Sequence, residues 1–394
     1  MTERQRLDAV TATVCAGLLA AFALSPRLWL SDRTFPLTPI PPLPPLPVPT
    51  DYILMVGAAA ALLATLAASA MRFRGRASTV PLADRWLPAT VIALMVLAIT
   101  DQQRWQPWFY QYTAMLAAVA ISTRPGARTS ATDALDACRT ILAGIYLWSG
   151  VQKLNVSFLT LDFPWMVEPI VQALPGWAGR GLESLAVAVP VVEISVAAAV
   201  LSPRLRRAGV AAAIGTHAFI LACLGPLGHD WNTIVWPWNV AMIALVVLLF
   251  GGHADPGWRR VLTAQSRAVN AVVIVLFWIL PALSFADLWD SYLSACLYSR
   301  NTRRADVFVA APVLARLPAS VAARADDTGA IHPMSWALDE LGVPVYPEPR
   351  VFKSVATELC RQARRDDQVI LVISSRPQLV SGDRSTSMLE CSDL

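Results

Sequence analysis

The chain is 394 residues long, 55% hydrophobic and only 15% charged, with a mean hydropathy of +0.49. Such a composition excludes an ordinary soluble domain. Abundant aliphatic residues also exclude a disordered chain, and 19 glycines without a period exclude a collagen-like one. The formal net charge of +4 says less than its make-up: 30 of the 32 basic residues are Arg, and only Lys153 and Lys353 are Lys.

A bilayer core roughly 30 Å thick takes about 20 residues of helix. Apolar runs bounded by charge fall at about 9–30, 52–71, 86–101, 107–123, 138–155, 182–202, 208–225, 235–252 and 268–286. The third and fourth are short and closely spaced, so they read either as two spans or as one hairpin dipping into the interface. The expected fold class is therefore a mainly α polytopic membrane protein with about nine transmembrane helices over residues 1–286, followed by a small extracytoplasmic α/β domain over 287–394.

Basic residues near span ends stay on the cytoplasmic side. One set of alternate loops holds Arg4, Arg6, Arg72, Arg74, Arg76, Arg85, Arg124, Arg128, Arg139, Arg204, Arg206, Arg207, Arg259, Arg260 and Arg267; the other holds only Arg27, Arg33, Arg104 and Arg180. This asymmetry predicts a multi-pass inner-membrane protein with its amino terminus inside and its last domain outside. If the first run is instead a signal peptide cleaved near Ala21 to Ala23, the later orientations are unchanged.

Residues 36–49, PLTPIPPLPPLPVP, read as a stiff polyproline connector, with a recognition motif as the alternative. Residues 155–181 are too polar and Pro-broken to span; they predict an amphipathic or re-entrant outer segment with Trp165 and Trp177 at headgroup depth, roofing a cavity or merely lying in the interface. From Asp287 the composition shifts. Twelve basic residues and short β-branched runs at Val307 to Val309 and Val369 to Ile373 alternate with helix-like stretches at Pro312 to Arg324 and Val351 to Arg364. Among the six Cys there is no CxxC and no Cys/His cluster, so no metal is expected. In an oxidising compartment Cys360 and Cys391 are the preferred disulfide pair, leaving Cys296 free.

Ionisable residues inside a span are costly and become candidates for function. Three stand out: Lys153 in GIYLWSGVQKLN, Glu193 in VPVVEISVAAA and His217 in AAIGTHAFILA. At about 1.5 Å per residue, Glu193 and His217 lie at one depth, roughly 15 Å from Arg204 to Arg207, with Lys153 nearer the outer face. A polar shaft would join them. The structural alternative is a buried Glu193–His217 pair that fixes register, with Lys153 snorkelling to the interface. A lysine in a chain built almost wholly on Arg favours chemistry, because a lysine can act as a base and an arginine cannot. His229 and His253 read as solvated loop residues. Asp101 and Arg104 could pair and face the same cavity.

The segment from about Arg139 to Phe250 resembles the membrane domain of vitamin K-dependent gamma-carboxylase, in the horizontally transferred transmembrane domain family. The resemblance rests on Arg139, Tyr146, Gly150-Val151-Gln152-Lys153-Leu154, Glu193, the Ser-Pro-Arg turn and His217. It implies a Lys153 base that deprotonates a lipid-soluble quinol, with Glu193 and His217 as further catalytic groups and Arg139, Tyr146 and Trp148 contacting the cofactor. The chain departs from that family in TDQQRWQPWFYQY, which lacks the loop histidine, and in its C-terminal region. The expectation is thus a membrane protein whose intramembrane cavity binds a lipid-soluble ligand for quinol-dependent oxidation or carboxylase-like chemistry. The alternative is a non-enzymatic scaffold or accessory subunit whose outer domain docks a protein partner. A transporter fits less well, since no inverted repeat is visible. Membrane lipid is the expected surrounding, with no nucleic acid partner.

Overall fold

The computed structural model describes all residues except 42, 44–49, 76–82, 125–130, 253–256 and 263–266, and only the backbone of 83–85, 259–260 and 267. His253, Arg76, Arg128 and most of the proline connector therefore lie outside the described residues.

The protein is mainly helical. In chain order the principal helices are α1 (Glu3–Leu24), α2 (Thr50–Phe73), α3 (Ala83–Thr100), α4 (Pro107–Thr123), α5 (Ala131–Gln152), α6 (Phe163–Ala173), α7 (Gly176–Leu201), α8 (Arg206–Leu224), α9 (Val235–Phe250) and α10 (Ala268–Ala286). Each of the nine apolar runs overlaps one of these helices, the helices of the first and fifth beginning six or seven residues earlier than the composition suggested. Five of them, α1, α2, α7, α8 and α10, are long and apolar enough to cross a membrane. Exposed aliphatic side chains such as Ile53, Leu63, Ile92, Met95, Val191, Val240, Val272 and Ile279 cover the outer faces of the bundle. An apolar belt of this extent marks a lipid-facing surface.

Local signals explain the helix ends. Thr2 and Gln5 form a reciprocal capping box at the start of α1. Pro107 opens α4, where a missing N–H costs nothing. The third and fourth runs are two separate helices, because Asp101 and the short turn Gln102–Arg104 break the chain between them. Within α10 a π-turn at Val275–Ile279 precedes Pro281, whose missing N–H is incompatible with an unbroken α ladder.

α5 is the central strut, packing on α4, α7, α9 and α10, while α1 lies against α2 and α9. Residues 155–173 form no span. A π-turn at Phe158–Asp162 leads into α6, which leans on α8 as the roofing segment. Trp177 is 75% exposed. Trp165 instead stacks on His229 with ring centroids 4.4 Å apart, and His229 Nε2 donates to the Trp165 carbonyl at 2.6 Å. His229 is thus a partnered residue.

The C-terminal region carries one antiparallel sheet of order β2-β1-β3-β4, from β1 (Arg304–Val309), β2 (Ala330–Ile331), β3 (Val369–Ser374) and β4 (Thr386–Leu389). Helices α11 (Pro333–Leu341) and α12 (Pro349–Cys360) pack against it. The helix expected over Pro312 to Arg324 is two single turns instead, Ala311–Leu314 and Ala319–Ala322, because Pro318 divides them. Cys360 and Cys391 form a disulfide, and Cys296 is free and buried.

This region is fastened to the helical bundle. The buried Glu340 carboxylate accepts from Thr34 N and Oγ1 at 2.5 Å, Phe35 N at 3.0 Å and Trp336 Nε1 at 2.8 Å. Gln103 Oε1 accepts from Tyr346 N at 2.9 Å, and Gln106 Nε2 donates to the Pro344 carbonyl at 3.0 Å.

Candidate functional site

A cavity of about 400 Å³ lies between α5, α7, α8 and α9, with α6 and residues 295–298 closing one end. Its wall is mostly apolar. That size and character fit a small-molecule chamber. Phe163 and Met166 of α6 line it, so the Pro-broken segment does roof a cavity.

α5 supplies one polar stripe. Tyr146, Ser149 and Lys153 recur at helical spacing and share a face. Lys153 sits just past the last residue of α5, where its N–H returns to the Gly150 carbonyl at 3.1 Å. α7 lies close enough to supply the partner because of Gly150: a Cβ there would stand 2.7 Å from the Pro190 carbonyl oxygen and 2.8 Å from Ile194 Cγ1. Only a glycine permits that approach.

Two polar clusters result. Lys153 Nζ donates to Glu193 Oε2 at 2.9 Å, to Ser149 Oγ at 2.6 Å and to the Ser149 carbonyl at 3.2 Å. An ammonium has three N–H donors, and all three are spent here. Among the described residues Glu193 Oε1 has no protein donor, and Glu193 lines the chamber.

About 10 Å along α5, two turns away by helical rise, Tyr146 meets His217. Asn239 Nδ2 donates to the Val235 carbonyl at 2.7 Å, which turns Asn239 Oδ1 towards His217 Nδ1, also at 2.7 Å. Nδ1 therefore carries the ring proton and Nε2 presents its lone pair. The Tyr146 hydroxyl donates to that nitrogen at 2.7 Å, and its own oxygen remains an acceptor.

Of the six residues singled out from sequence, Lys153, Glu193, His217 and Tyr146 come together around this chamber. Glu193 pairs with Lys153 rather than with His217, because α7 delivers it to the end of α5 while His217 faces Tyr146. Arg139 and Trp148 lie elsewhere. Arg139 is buried, with Nη1 on Asp136 Oδ1 at 2.6 Å and Nε on the Leu249 carbonyl at 2.7 Å. Trp148 lies a third to half a turn from the stripe and donates to the Trp278 carbonyl at 3.2 Å. Asp101 and Arg104 do not line the chamber either. The two do pair, Arg104 Nε lying 4.0 Å from Asp101 Oδ2, but away from the chamber: Asp101 also binds Arg33 at 2.6 Å and Thr38 Oγ1 at 2.9 Å, and the Arg104 guanidinium donates to the Leu28, Trp29 and Leu97 carbonyls.

Sequence reading missed Ser149 and Asn239. Asn239, alone in the apolar stretch VWPWNVAMIALVV, was a visible signal. Ala295, Leu297 and Tyr298 reach the chamber from beyond the last span, which no local pattern announces.

The chamber also has a side opening. Ala188 and Val192 of α7 and Ala212 and Gly215 of α8 line it and are exposed, unlike the buried Glu193 and His217 beside them. A Cβ on Gly215 would meet nothing within 4 Å. This glycine is not needed for close packing, and it leaves the gap unfilled.

A family model described as "Methylamine utilisation protein MauE" matches residues 131–234. The matched stretch runs from the start of α5 to just before α9, so it contains Tyr146, Ser149, Lys153, Glu193 and His217 but not Asn239. No curated protein and no solved structure matches the chain. The MauE match overturns the resemblance to the gamma-carboxylase membrane domain. The motif that carried it, a short GVxKL in hydrophobic background, reflects a glycine contact and a helix end rather than descent from that family.

Proposed function

We propose that the protein binds a lipid-soluble small molecule bearing a hydroxyl head, of quinol type, in the chamber between α5, α7, α8 and α9. The observation that carries this reading is the pairing of an apolar volume of about 400 Å³ with two polar clusters on its α5 wall. Their unspent atoms, Glu193 Oε1 and the Tyr146 oxygen, are both acceptors. They suit a ligand that donates hydrogen bonds, as a quinol does, better than a quinone carbonyl. The ammonium of Lys153 is committed, so the Lys153–Glu193 pair acts as one proton-accepting unit whose open end is Glu193 Oε1, with Tyr146 and His217 as a second relay.

In this reading nine helices cross the inner membrane, the amino terminus is cytoplasmic and the sheet lies outside, in keeping with the Arg partition and the disulfide. The test is organic extraction of the purified protein and mass analysis. An isoprenoid quinone near one per chain, depleted in Gly215→Phe, supports the proposal. No enrichment over an unrelated membrane protein prepared alongside overturns it.

The MauE match favours a second reading, a membrane accessory protein in methylamine utilisation whose outer domain docks a protein partner. Under it, Glu193→Gln and His217→Ala lower the melting temperature and expression without changing any bound lipid.

A further inference from the structure

A second cavity, of about 180 Å³, lies on the sheet side of the chamber. Met166, Leu297 and Tyr298 line both and form the partition between them. The second cavity is otherwise different in kind. Its wall includes Arg300 and Arg304, with a single carboxylate, Asp162, and the indoles of Trp165 and Trp231.

The charges there do not balance within the protein. Arg300 Nη1 holds Asp162 Oδ1 at 2.7 Å. Behind them Arg384 donates to the carbonyls of Thr302 at 2.8 Å, Ser375 at 2.6 Å and Arg300 at 2.9 Å, none of which carries a charge. Arg304 is paired through its backbone with Ser374 in the sheet, but among the described residues its guanidinium has no hydrogen bond or ion pair. The nearby Asp306 carboxylate is occupied by His332 Nδ1 at 2.7 Å. Burial, followed by the charges of Arg304 and Arg300, draws the Arg384 guanidinium down to about 10. Partial desolvation and then Arg300 lower Arg304, an exposed strand residue, against the pull of Asp162 and Asp306. The three cations therefore feel one another, with Asp162 the one carboxylate that any of the three holds directly and Asp306 acting on Arg304 without a bond to it.

We propose that this vestibule binds a small soluble organic anion, whose carboxylate bridges Arg304 and Arg300 and whose apolar body lies against Trp165 and Trp231. An arginine fork accepts a carboxylate in bidentate geometry, and an anion here relieves the repulsion among the guanidinium groups. Asp162 competes for Arg300, so it holds affinity down. The phosphate of an anionic lipid headgroup offers related chemistry from the membrane side. The site does not depend on what fills the larger chamber.

The experiment is a calorimetric titration of the full-length protein in neutral detergent with benzoate. Saturable, salt-sensitive binding is expected, weakened about tenfold or more in Arg304→Gln, as for loss of a charge-assisted hydrogen bond. Asp162→Asn strengthens it by freeing Arg300. Because the Arg304 side chain makes no contact that the fold needs, Arg304→Gln melts as the parent does. Benzoate binding that is absent, unchanged in Arg304→Gln, or weakened in Asp162→Asn overturns the proposal. Binding lost in nanodiscs of anionic phosphatidylglycerol but kept in neutral ones assigns the site to a lipid headgroup and overturns the soluble ligand.

Discussion

The buried ion pair between Lys153 and Glu193 is the most consequential contact in the chamber, and removing either half tests it. The two side chains retain 7% and 5% of their exposure and approach to 2.9 Å. At an effective dielectric constant of about 20 that separation gives roughly 6 kcal/mol of gross attraction, most of it offset by desolvation of the two ions. The pair is therefore worth little net, but one ion left alone is expensive. Lys153→Met, which strands the Glu193 carboxylate, is expected to cost about 3–5 kcal/mol. Glu193→Gln, which keeps an acceptor for the ammonium, costs less. The double variant Lys153→Met with Glu193→Gln recovers most of the loss, because no charge remains to be stranded. Thermal unfolding of the detergent-solubilised protein, followed by tryptophan fluorescence, measures all three. A double variant whose loss equals the sum of the single losses would refute the coupling and leave the two residues as independent packing groups.

Gly150→Val should push α5 from α7, because its side chain collides with the Pro190 carbonyl and Ile194. A loss of about 1–3 kcal/mol is expected from overpacking, and a matching loss from the smaller Glu193→Gln change in the same background would argue against separation of the pair. Reducing Cys360–Cys391, 31 residues apart, removes a chain constraint worth about 3.5 kcal/mol in the loop-entropy account. Proteolysis of the sheet should accelerate with reductant, and equal rates would show that the link does not stabilise it. His332 is raised above its ordinary value by its hydrogen bond to Asp306, against partial burial, with help from Asp326. Its contribution is full below the unfolded histidine value of about 6.5 and is lost as pH rises through the higher folded value. Melting should therefore fall between those values in the parent and not in His332→Gln; parallel curves would remove the histidine from the account. Gly215→Phe, at a position with open space around it, should leave the melting temperature near that of the parent while cutting lipid loading.

The helical bundle was legible because the apolar runs are bounded by charged residues, Gly or Pro, and those signals are local. Lys153, Glu193 and His217 were legible for a related reason: a charged or polar group in hydrocarbon stands out against its neighbours. Partner choice was not legible. Whether Glu193 meets Lys153 or His217 depends on the rotation of α7 against α5, which is set by the Gly150 contact and not by depth along the sequence. Arg139 misled because a buried arginine within a helix reads alike whether it touches a ligand or a backbone carbonyl. The short strands β2 and β4 were missed, since two- and four-residue pairings leave no periodicity to detect.

The hydrogen bond from Thr34 to Glu340 joins residues 306 positions apart, and the partition over the chamber comes from residues 295–298. During synthesis, then, every helix that walls the chamber can be in the bilayer before the segment that covers it has been translated. The growing bundle passes through a stage in which the end of the chamber later covered by residues 295–298 stands open. A bulky hydrophobic guest can settle there from the surrounding lipid at that stage, and the closing of the sheet against the amino-terminal loop would then trap it. For a ligand of the kind proposed, loading during biogenesis and exchange in the finished protein would be separate events, and only the second would have to use the gap beside Gly215.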